Sequence, residues 1–261
     1  AARSDGVDVA FDVYPYIAYS TGLTNLFPLW ARDGGNDAFR ARLDDPSQLP
    51  RIEEFTRAKI ASLGSWDSVQ VTSTSDDALS WARGRRLGEL AAERGEDPFE
   101  MLVGIMRRGG GGMVGFGMSE ENVAKFLAHP LAAVVSDGSA LATEGPLASG
   151  VPHPRNFGTF PRVLGHYVRE MGALPLEDAI RKMTSVPADR VGLRDRGRVT
   201  AGAAADLVAF DPNTVRDTAT FEDPHQYPVG IPHVWVNGRF ALRDGQAVEE
   251  RAGRALRPGG R

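Results

Sequence analysis

Hydrophobic and polar positions alternate along this chain in patterns that first predict strands. Residues 7–16, VDVAFDVYPY, are typical of a strand that ends at Pro15. Residues 67–74, DSVQVTST, alternate like a half-buried strand, and GGMVGFG at 111–117 is a short strand. LAAVVSDG at 131–138 is a continuous apolar run, which is the pattern of a strand buried on both faces.

Helical apolar spacing fills the intervals between these strands. The predicted helical segments are 36–45; 50–64, which stops at Gly64; 86–110, which is two helices broken at Gly95; a helix capped by Ser119; 157–171; and 175–192. Pro98 lies just inside the second helix of the 86–110 segment, a position that proline favours. Strands that alternate with helices predict an α/β fold.

The pattern changes near residue 197. ADLVAFDP, HVWVNGRFAL and GQAVEER are short strands joined by glycine, proline and asparagine turns, and Asn237-Gly238 is a strong hairpin signal. We therefore predict a small all-β region over 197–261. It ends in the basic segment RALRPGGR, which predicts a loose tail.

Composition and charge exclude several function classes. The 261 residues include 30 basic and 34 acidic ones, which give a net charge of −4 and no basic face for nucleic acid. No run of about 18 apolar residues predicts a membrane-spanning helix. The chain has no cysteine, which excludes disulfides and thiolate ligands. No signal peptide is visible, so we predict a cytoplasmic protein, and a first residue other than Met indicates a fragment or a processed chain.

Asp137 is the strongest candidate for a functional residue. It directly follows a buried apolar strand, and the carboxyl ends of such strands carry the functional groups of α/β proteins. The alternative, about equally favoured by the pattern, is an aspartate that starts a turn before Gly138.

Three further residues are candidates for binding an anion. Arg155 ends a long loop, and its planar guanidinium can bind a carboxylate through two nitrogens. Tyr14 and Ser20 lie just past the first strand, where their hydroxyls could hold a substrate carboxylate. The pattern alone favours the alternatives, which are a surface arginine, a core tyrosine and a turn serine.

Other known motifs are missing. The five histidines form no H-x-H or H-E-x-x-H pair, so we interpret each as structural. The glycine run at 109–112 lacks the lysine of a phosphate loop, and no G-x-S-x-G serine elbow occurs.

Several segments together resemble the N-acyl-D-amino-acid deacylases (D-aminoacylases) of the metal-dependent amidohydrolase superfamily. They include DVYPYIAYST, FGMSEENVAKFLAHPL, VVSDG and HPRNFGTFPRVLGHYVREMGALPLEDAIRKMTSVPADRVGL, of which the last is the most specific. The segment DRGRVTAGAAADLVAFDP is shared more widely among amidohydrolases.

The resemblance implies a fold and a domain organisation. Residues 1–196 would be the C-terminal part of a metal-bearing (β/α)8 barrel, with 7–14 as its seventh strand and 131–137 as its eighth. Residues of about 17–118 would be an inserted lid subdomain. Residues 197–261 would be part of a small β-sandwich.

The resemblance also implies roles for the candidate residues. Asp137 would contact zinc and act as general base and then acid, while Arg155 and Tyr14, with Ser20 beside them, would hold the α-carboxylate of the substrate. The family's remaining zinc ligands have no match here. We therefore expect zinc in the full-length enzyme, which would act on a small anionic substrate, and not in this chain alone, which we expect to be inactive without its missing N-terminal half.

Two alternatives remain open. The chain could be a non-catalytic half-enzyme that complements or binds another chain. It could also belong to a related amidohydrolase that opens cyclic amides, such as a hydantoinase, although the HPR…GTFPRVLG segment favours the deacylases.

Overall fold

The computed structural model describes residues 4–257 as three sheets with helices between them. The strands are β1 (Phe11–Val13), β2 (Ala18–Gly22), β3 (Val69–Thr74), β4 (Gly111–Phe116), β5 (Ala132–Val134), β6 (Leu207–Ala209), β7 (His233–Val236), β8 (Arg239–Arg243) and β9 (Gln246–Ala247). The last four residues of the predicted basic tail lie outside the described residues.

Nine α-helices connect these strands in the described part of the chain. They are α1 (Leu29–Arg32), α2 (Gly35–Leu43), α3 (Leu49–Leu63), α4 (Leu87–Arg94), α5 (Pro98–Arg107), α6 (Glu120–Ala128), α7 (Arg155–Arg162), α8 (Leu176–Met183) and α9 (Ser185–Arg190). The helix α7 continues as a π-helix over Val163–Glu170. None of the described helices combines the length and the apolar character that a membrane crossing requires.

The two strands that flank the candidate acid are parallel neighbours. β1 pairs with β5, and Asp12 lies opposite Ala133. All three residues of β5 are buried, as the continuous apolar run predicts. Because the strands are parallel, their carboxyl ends meet at one edge, and the residues that follow both strands lie near each other.

A second sheet and its helices occupy the sequence between β1 and β5. Its strand order is β2-β4-β3, all antiparallel, and it packs with α1 to α5 around a core that contains Phe27, Leu43, Phe99 and Leu102. Each fully buried side chain of this size contributes roughly 1.5–3 kcal/mol. This core draws its buried members from residues 23–113 alone, so the segment has an apolar interior of its own.

The predicted helix signals correspond to real caps. Asp97 accepts hydrogen bonds from the backbone N–H groups of Phe99 and Glu100, and Pro98 begins α5. Ser119 accepts one from Asn122 at the start of α6. The helix α3 ends at Gly64, whose φ of 117° is open to glycine.

Two predictions about elements are wrong. The single helix predicted over 175–192 is two helices, α8 and α9, because the backbone leaves the helical region at Thr184. Pro187 lies just beyond this break, and proline lacks the N–H that a continuous helix would need. The strand predicted over 7–16 is only Phe11–Val13, and a new strand, β2, begins three residues after Pro15.

The last sheet forms the all-β region predicted after residue 197. Its order is β6-β7-β8-β9, with antiparallel pairing throughout. The hairpin between β7 and β8 turns at Asn237 and Gly238, which have φ values of 50° and 78°. This is the left-handed geometry that Asn-Gly predicts.

Lys182 joins helix α8 to the end of helix α6. Its ammonium is buried, donates to the carbonyl oxygens of Leu127 and His129, and lies 3.1 Å from a carboxylate oxygen of Asp178. The lysine therefore donates to the carbonyl oxygen of Leu127 in the last turn of α6, where helix carbonyls lack partners within the helix.

We expect Lys182→Met to lower the free energy of unfolding by about 1–3 kcal/mol, since it removes the lysine donor from the buried carbonyl oxygen of Leu127. Urea unfolding measures this. Lys125→Met is the matched control, because Lys125 is exposed and pairs with Glu121 within α6. A loss no larger than that of the control would contradict the role given to Lys182.

Candidate active site

Asp137 lies where the chain leaves the parallel strand pair. Beyond β5, the N–H of Val135 still donates to the carbonyl oxygen of Val13, so the pairing extends almost to the acid. Asp137 itself has a φ of 46°, in the left-handed region that non-glycine residues seldom occupy. Its side chain is 62% exposed. A strained, exposed acid at a strand end supports a functional hypothesis.

Arg155 reaches this acid from the first residue of α7. Its side chain is only 10% exposed, and Nη1 lies 3.0 Å from Oδ2 of Asp137. This ion pair lacks hydrogen-bond geometry, and Nη1 has no hydrogen-bond partner among the described residues. A buried guanidinium with an unused donor is suited to a further anionic group.

Tyr14 completes the group. Its ring lies under the guanidinium of Arg155, with 5.2 Å between the guanidinium carbon and the ring centroid. Burial raises the pKa of the Tyr14 hydroxyl, and the nearby Arg155 offsets part of that rise. Tyr14 therefore stays protonated at neutral pH and can donate a hydrogen bond.

Ser20 takes a separate place on strand β2. It lies opposite Val114 in the β2–β4 pairing and is partly buried. Within the described residues its side chain makes no hydrogen bond to Tyr14, Asp137 or Arg155. The structure thus brings three of the four predicted residues into contact, and Ser20 lies on the adjoining sheet.

His153 is a neighbour of this group that sequence reasoning assigned only a structural part. Its ring is buried between the rings of Tyr14, Tyr16 and Phe221. One ring nitrogen lies 2.9 Å from the carbonyl oxygen of Ala18, and the other accepts the N–H of Arg155. The pattern H-P-R carries no signal for these contacts, because Ala18 lies far away in the sequence.

A cleft of about 690 Å³ opens beside Tyr14. Its walls include Leu63, Phe116, Met118 and Phe126, and none of the described residues that line it is a lysine or an arginine. Asp12 is the one acidic residue among the described residues that line the cleft. The cleft therefore combines apolar surface with a weakly acidic character.

The donor set does not fit a metal site by itself. No group of three His, Cys, Asp or Glu side chains within residues 4–257 is placed to hold a metal ion. A catalytic zinc needs about three protein ligands, and Asp137 is a single carboxylate. These residues alone therefore do not form a site that could hold a catalytic zinc.

The comparisons with known proteins agree on one family. A model for the Amidohydrolase family matches residues 41–241. The chain is 44% identical over 173 residues to a D-aminoacylase from Alcaligenes xylosoxydans xylosoxydans, an alignment that covers 66% of this chain and 34% of that protein. It is 37% identical to an N-acyl-D-glutamate deacylase of the same organism, over 98% of this chain and 43% of that protein.

Solved structures give the same result. A D-aminoacylase crystal structure superposes with a TM-score of 0.71 and 35% identity, over 98% of this chain and 44% of that one. An N-acyl-D-glutamate deacylase from Bordetella bronchiseptica, solved with zinc and a phosphonate that mimics the tetrahedral intermediate, superposes with a TM-score of 0.67 and 32% identity, over 95% of this chain and 44% of that one.

The chain spans less than half the length of each of these relatives. Within that span it shares the mixed helix-and-strand fold of the superposed structures. Since the family model covers more than half of its residues, the chain belongs to the amidohydrolase family.

Proposed function

We propose that the full-length protein containing this chain hydrolyses the amide bond of N-acyl-D-amino acids. The observation that supports this most strongly is the contact of Asp137, Arg155 and Tyr14 at the carboxyl ends of two parallel strands. An anion-binding side chain beside an exposed acid suits a substrate that carries both a carboxylate and a bond to be hydrolysed. The similarity to D-aminoacylase supports the same substrate class.

In this proposal Arg155 binds the α-carboxylate of the substrate. Its guanidinium is largely withdrawn from water, so a carboxylate that reaches it gains a charge-assisted hydrogen bond with little competition from solvent. The Tyr14 hydroxyl, protonated at neutral pH, donates to the same carboxylate. Ser20, on the adjoining sheet, would lie beside them.

Asp137 moves the proton. Its carboxylate oxygen accepts a proton from the attacking water while the oxygen of that water bonds to the acyl carbon. The same carboxyl then returns the proton to the amide nitrogen as the C–N bond breaks, so that a carboxylate and a free D-amino acid leave. Its exposure gives water access to that oxygen, and general base catalysis of this kind typically contributes about 10²–10⁴ in rate.

Zinc enters the proposal only through the full-length protein. One related deacylase structure contains zinc, and bound zinc makes water a nucleophile at neutral pH. Asp137 would be one ligand, and the others would come from residues outside this chain. We infer that the isolated chain neither binds zinc nor turns over substrate.

The domain organisation belongs to the same proposal. We assign β1 and β5 as the seventh and eighth strands of a (β/α)8 barrel, residues of about 17–118 as an inserted lid, and 197–261 as part of a small β-sandwich. The parallel pairing of β1 with β5, the separate core within residues 23–113 and the antiparallel last sheet support these assignments.

The decisive assay offers N-acetyl-D-methionine and its L-enantiomer to the full-length protein with zinc. Release of D-methionine, with little or none from the L-form, supports the proposal. Release from neither compound by a folded, zinc-loaded protein would refute it.

The cleft beside Tyr14 predicts a preference among D-amino acids. Apolar walls and the carboxylate of Asp12 disfavour an anionic side chain, so we expect kcat/KM for N-acetyl-D-methionine to exceed that for N-acetyl-D-glutamate by at least about tenfold, or 1.4 kcal/mol. Leu63→Arg adds a cation to the cleft wall and should lower the ratio of kcat/KM for N-acetyl-D-methionine to that for N-acetyl-D-glutamate. Leu63→Met is the apolar control. Equal rates for the two substrates would contradict this use of the cleft.

A second candidate function is a half-enzyme that complements a separate chain. Among the described strands, β1 pairs only with β5, so its other edge is free for a further strand. Co-purification with a polypeptide that supplies a histidine pair would favour this candidate over a single full-length enzyme.

A further inference from the structure

His153 joins two parts of the candidate site that are distant in the sequence. Its Nε2 lies 2.9 Å from the carbonyl oxygen of Ala18, at the first residue of β2. Its Nδ1 accepts the backbone N–H of Arg155 at 2.9 Å. A single buried ring thus contacts the sheet that carries Ser20 and the residue whose guanidinium meets Asp137.

These two bonds require one tautomer. A backbone N–H can only donate, so Nδ1 is the acceptor and carries no proton, and Nε2 carries the proton that it donates to Ala18. Burial lowers the pKa of His153 to about 3, so the ring is neutral throughout the range in which enzymes are assayed. A neutral ring with both nitrogens bonded has no donor or acceptor left for substrate.

The backbone of His153 extends the connection to the Asp137 loop. Its carbonyl oxygen accepts from the Asn156 amide at 2.7 Å, and the amide oxygen of Asn156 accepts the N–H of Ser139 at 2.7 Å. The Tyr14 ring meets the His153 ring edge to face, with 6.1 Å between centroids. His153 therefore contacts Tyr14 and Arg155 directly, and the loop after Asp137 through Asn156.

We propose that His153 is a positioning residue that holds the Arg155 backbone and the start of β2 in register, and so aims the guanidinium at the substrate carboxylate. This inference rests on the proposed deacylase function. It assigns His153 no contact with substrate. Its effect is expected in KM, because the group that it positions is the one that binds the carboxylate.

Three variants of the full-length protein separate the two bonds. His153→Asn keeps an acceptor near the Nδ1 position for the N–H of Arg155, His153→Gln keeps a donor that reaches Ala18, and His153→Leu keeps neither. We expect the leucine variant to raise KM for N-acetyl-D-methionine about tenfold or more, which is the effect of about 1.4 kcal/mol. The asparagine variant should recover most of this loss and the glutamine variant less.

A double-mutant cycle with Arg155→Met distinguishes positioning from general support of the fold. If His153 acts through Arg155, the leucine substitution raises KM in the wild-type background and adds less than about twofold in the Arg155→Met background, because coupled residues are not additive. Lys182→Met is the control for loss of stability, and it should leave KM unchanged.

The outcomes are distinct. A wild-type protein that is folded, zinc-loaded and inactive overturns the deacylase proposal and this inference with it. An active wild-type protein overturns the inference alone if the three His153 variants keep its KM, if the effects at 153 and 155 multiply, or if Lys182→Met raises KM as much as His153→Leu. Should the leucine variant not fold, the asparagine and glutamine variants provide the same comparison.

Discussion

Asp137→Asn is expected to lower kcat of the full-length protein by about 10²- to 10⁴-fold, since the substitution removes the group that takes and returns the proton. Asparagine keeps the size of the side chain, which is 62% exposed, and an amide oxygen can still face the Arg155 guanidinium. The fold should therefore survive. Steady-state kinetics with N-acetyl-D-methionine and urea unfolding measure the two effects separately.

Asp8→Asn is a matched control for this experiment. Asp8 precedes β1, is exposed, and pairs with an arginine, Arg190, at the end of the strand away from the candidate site. Both substitutions neutralise an exposed aspartate that pairs with an arginine, but only the substitution at 137 removes the proposed base. Near-normal turnover in Asp137→Asn, or an equal loss in Asp8→Asn, would reject the role assigned to Asp137.

Local signals predicted most elements of this fold. Gly64, Pro98 and Ser119 end or begin helices because each meets a requirement of the nearby backbone, and such requirements depend on adjacent residues. Asn237 and Gly238 do the same for the last sheet. The break at Thr184 was missed because apolar spacing continues across it, whereas backbone geometry does not.

The candidate site was predicted in part for the same reason. Asp137 follows a recognisable buried strand, and a chain of parallel strands brings such ends together. Its contact with Arg155 joins a loop residue to the first residue of α7, and no spacing rule specifies that these two residues meet. Their approach was expected from the resemblance to the deacylases, and the contact itself is visible only in three dimensions.

The contacts of His153 could not be predicted from the sequence. Interpreting a lone histidine as structural is correct as far as its buried, neutral ring goes. Its partner at Ala18 lies 135 positions away, however, so the sequence contains no periodicity or motif that connects them. Tertiary packing brings the start of α7 against β2, and His153 can contact both Ala18 and Arg155 only because of this packing.

Arg155→Met is expected to raise KM for N-acetyl-D-methionine about 30- to 1,000-fold, because loss of a desolvated, charge-assisted contact costs roughly 2–4 kcal/mol. The KM of Arg155→Lys should lie between those of the wild-type protein and Arg155→Met, because lysine keeps the positive charge but lacks the planar guanidinium. Arg190→Met is the control, because Arg190 pairs with Asp8 at the other end of β1.

The neutral amide of N-acetyl-D-methionine distinguishes a loss of anion binding from general damage to the site. It lacks the carboxylate, so wild-type protein should use it poorly and Arg155→Met should treat it almost as wild type does. An equal loss on both substrates would mean that Arg155 supports the loop around Asp137 and does not bind the carboxylate.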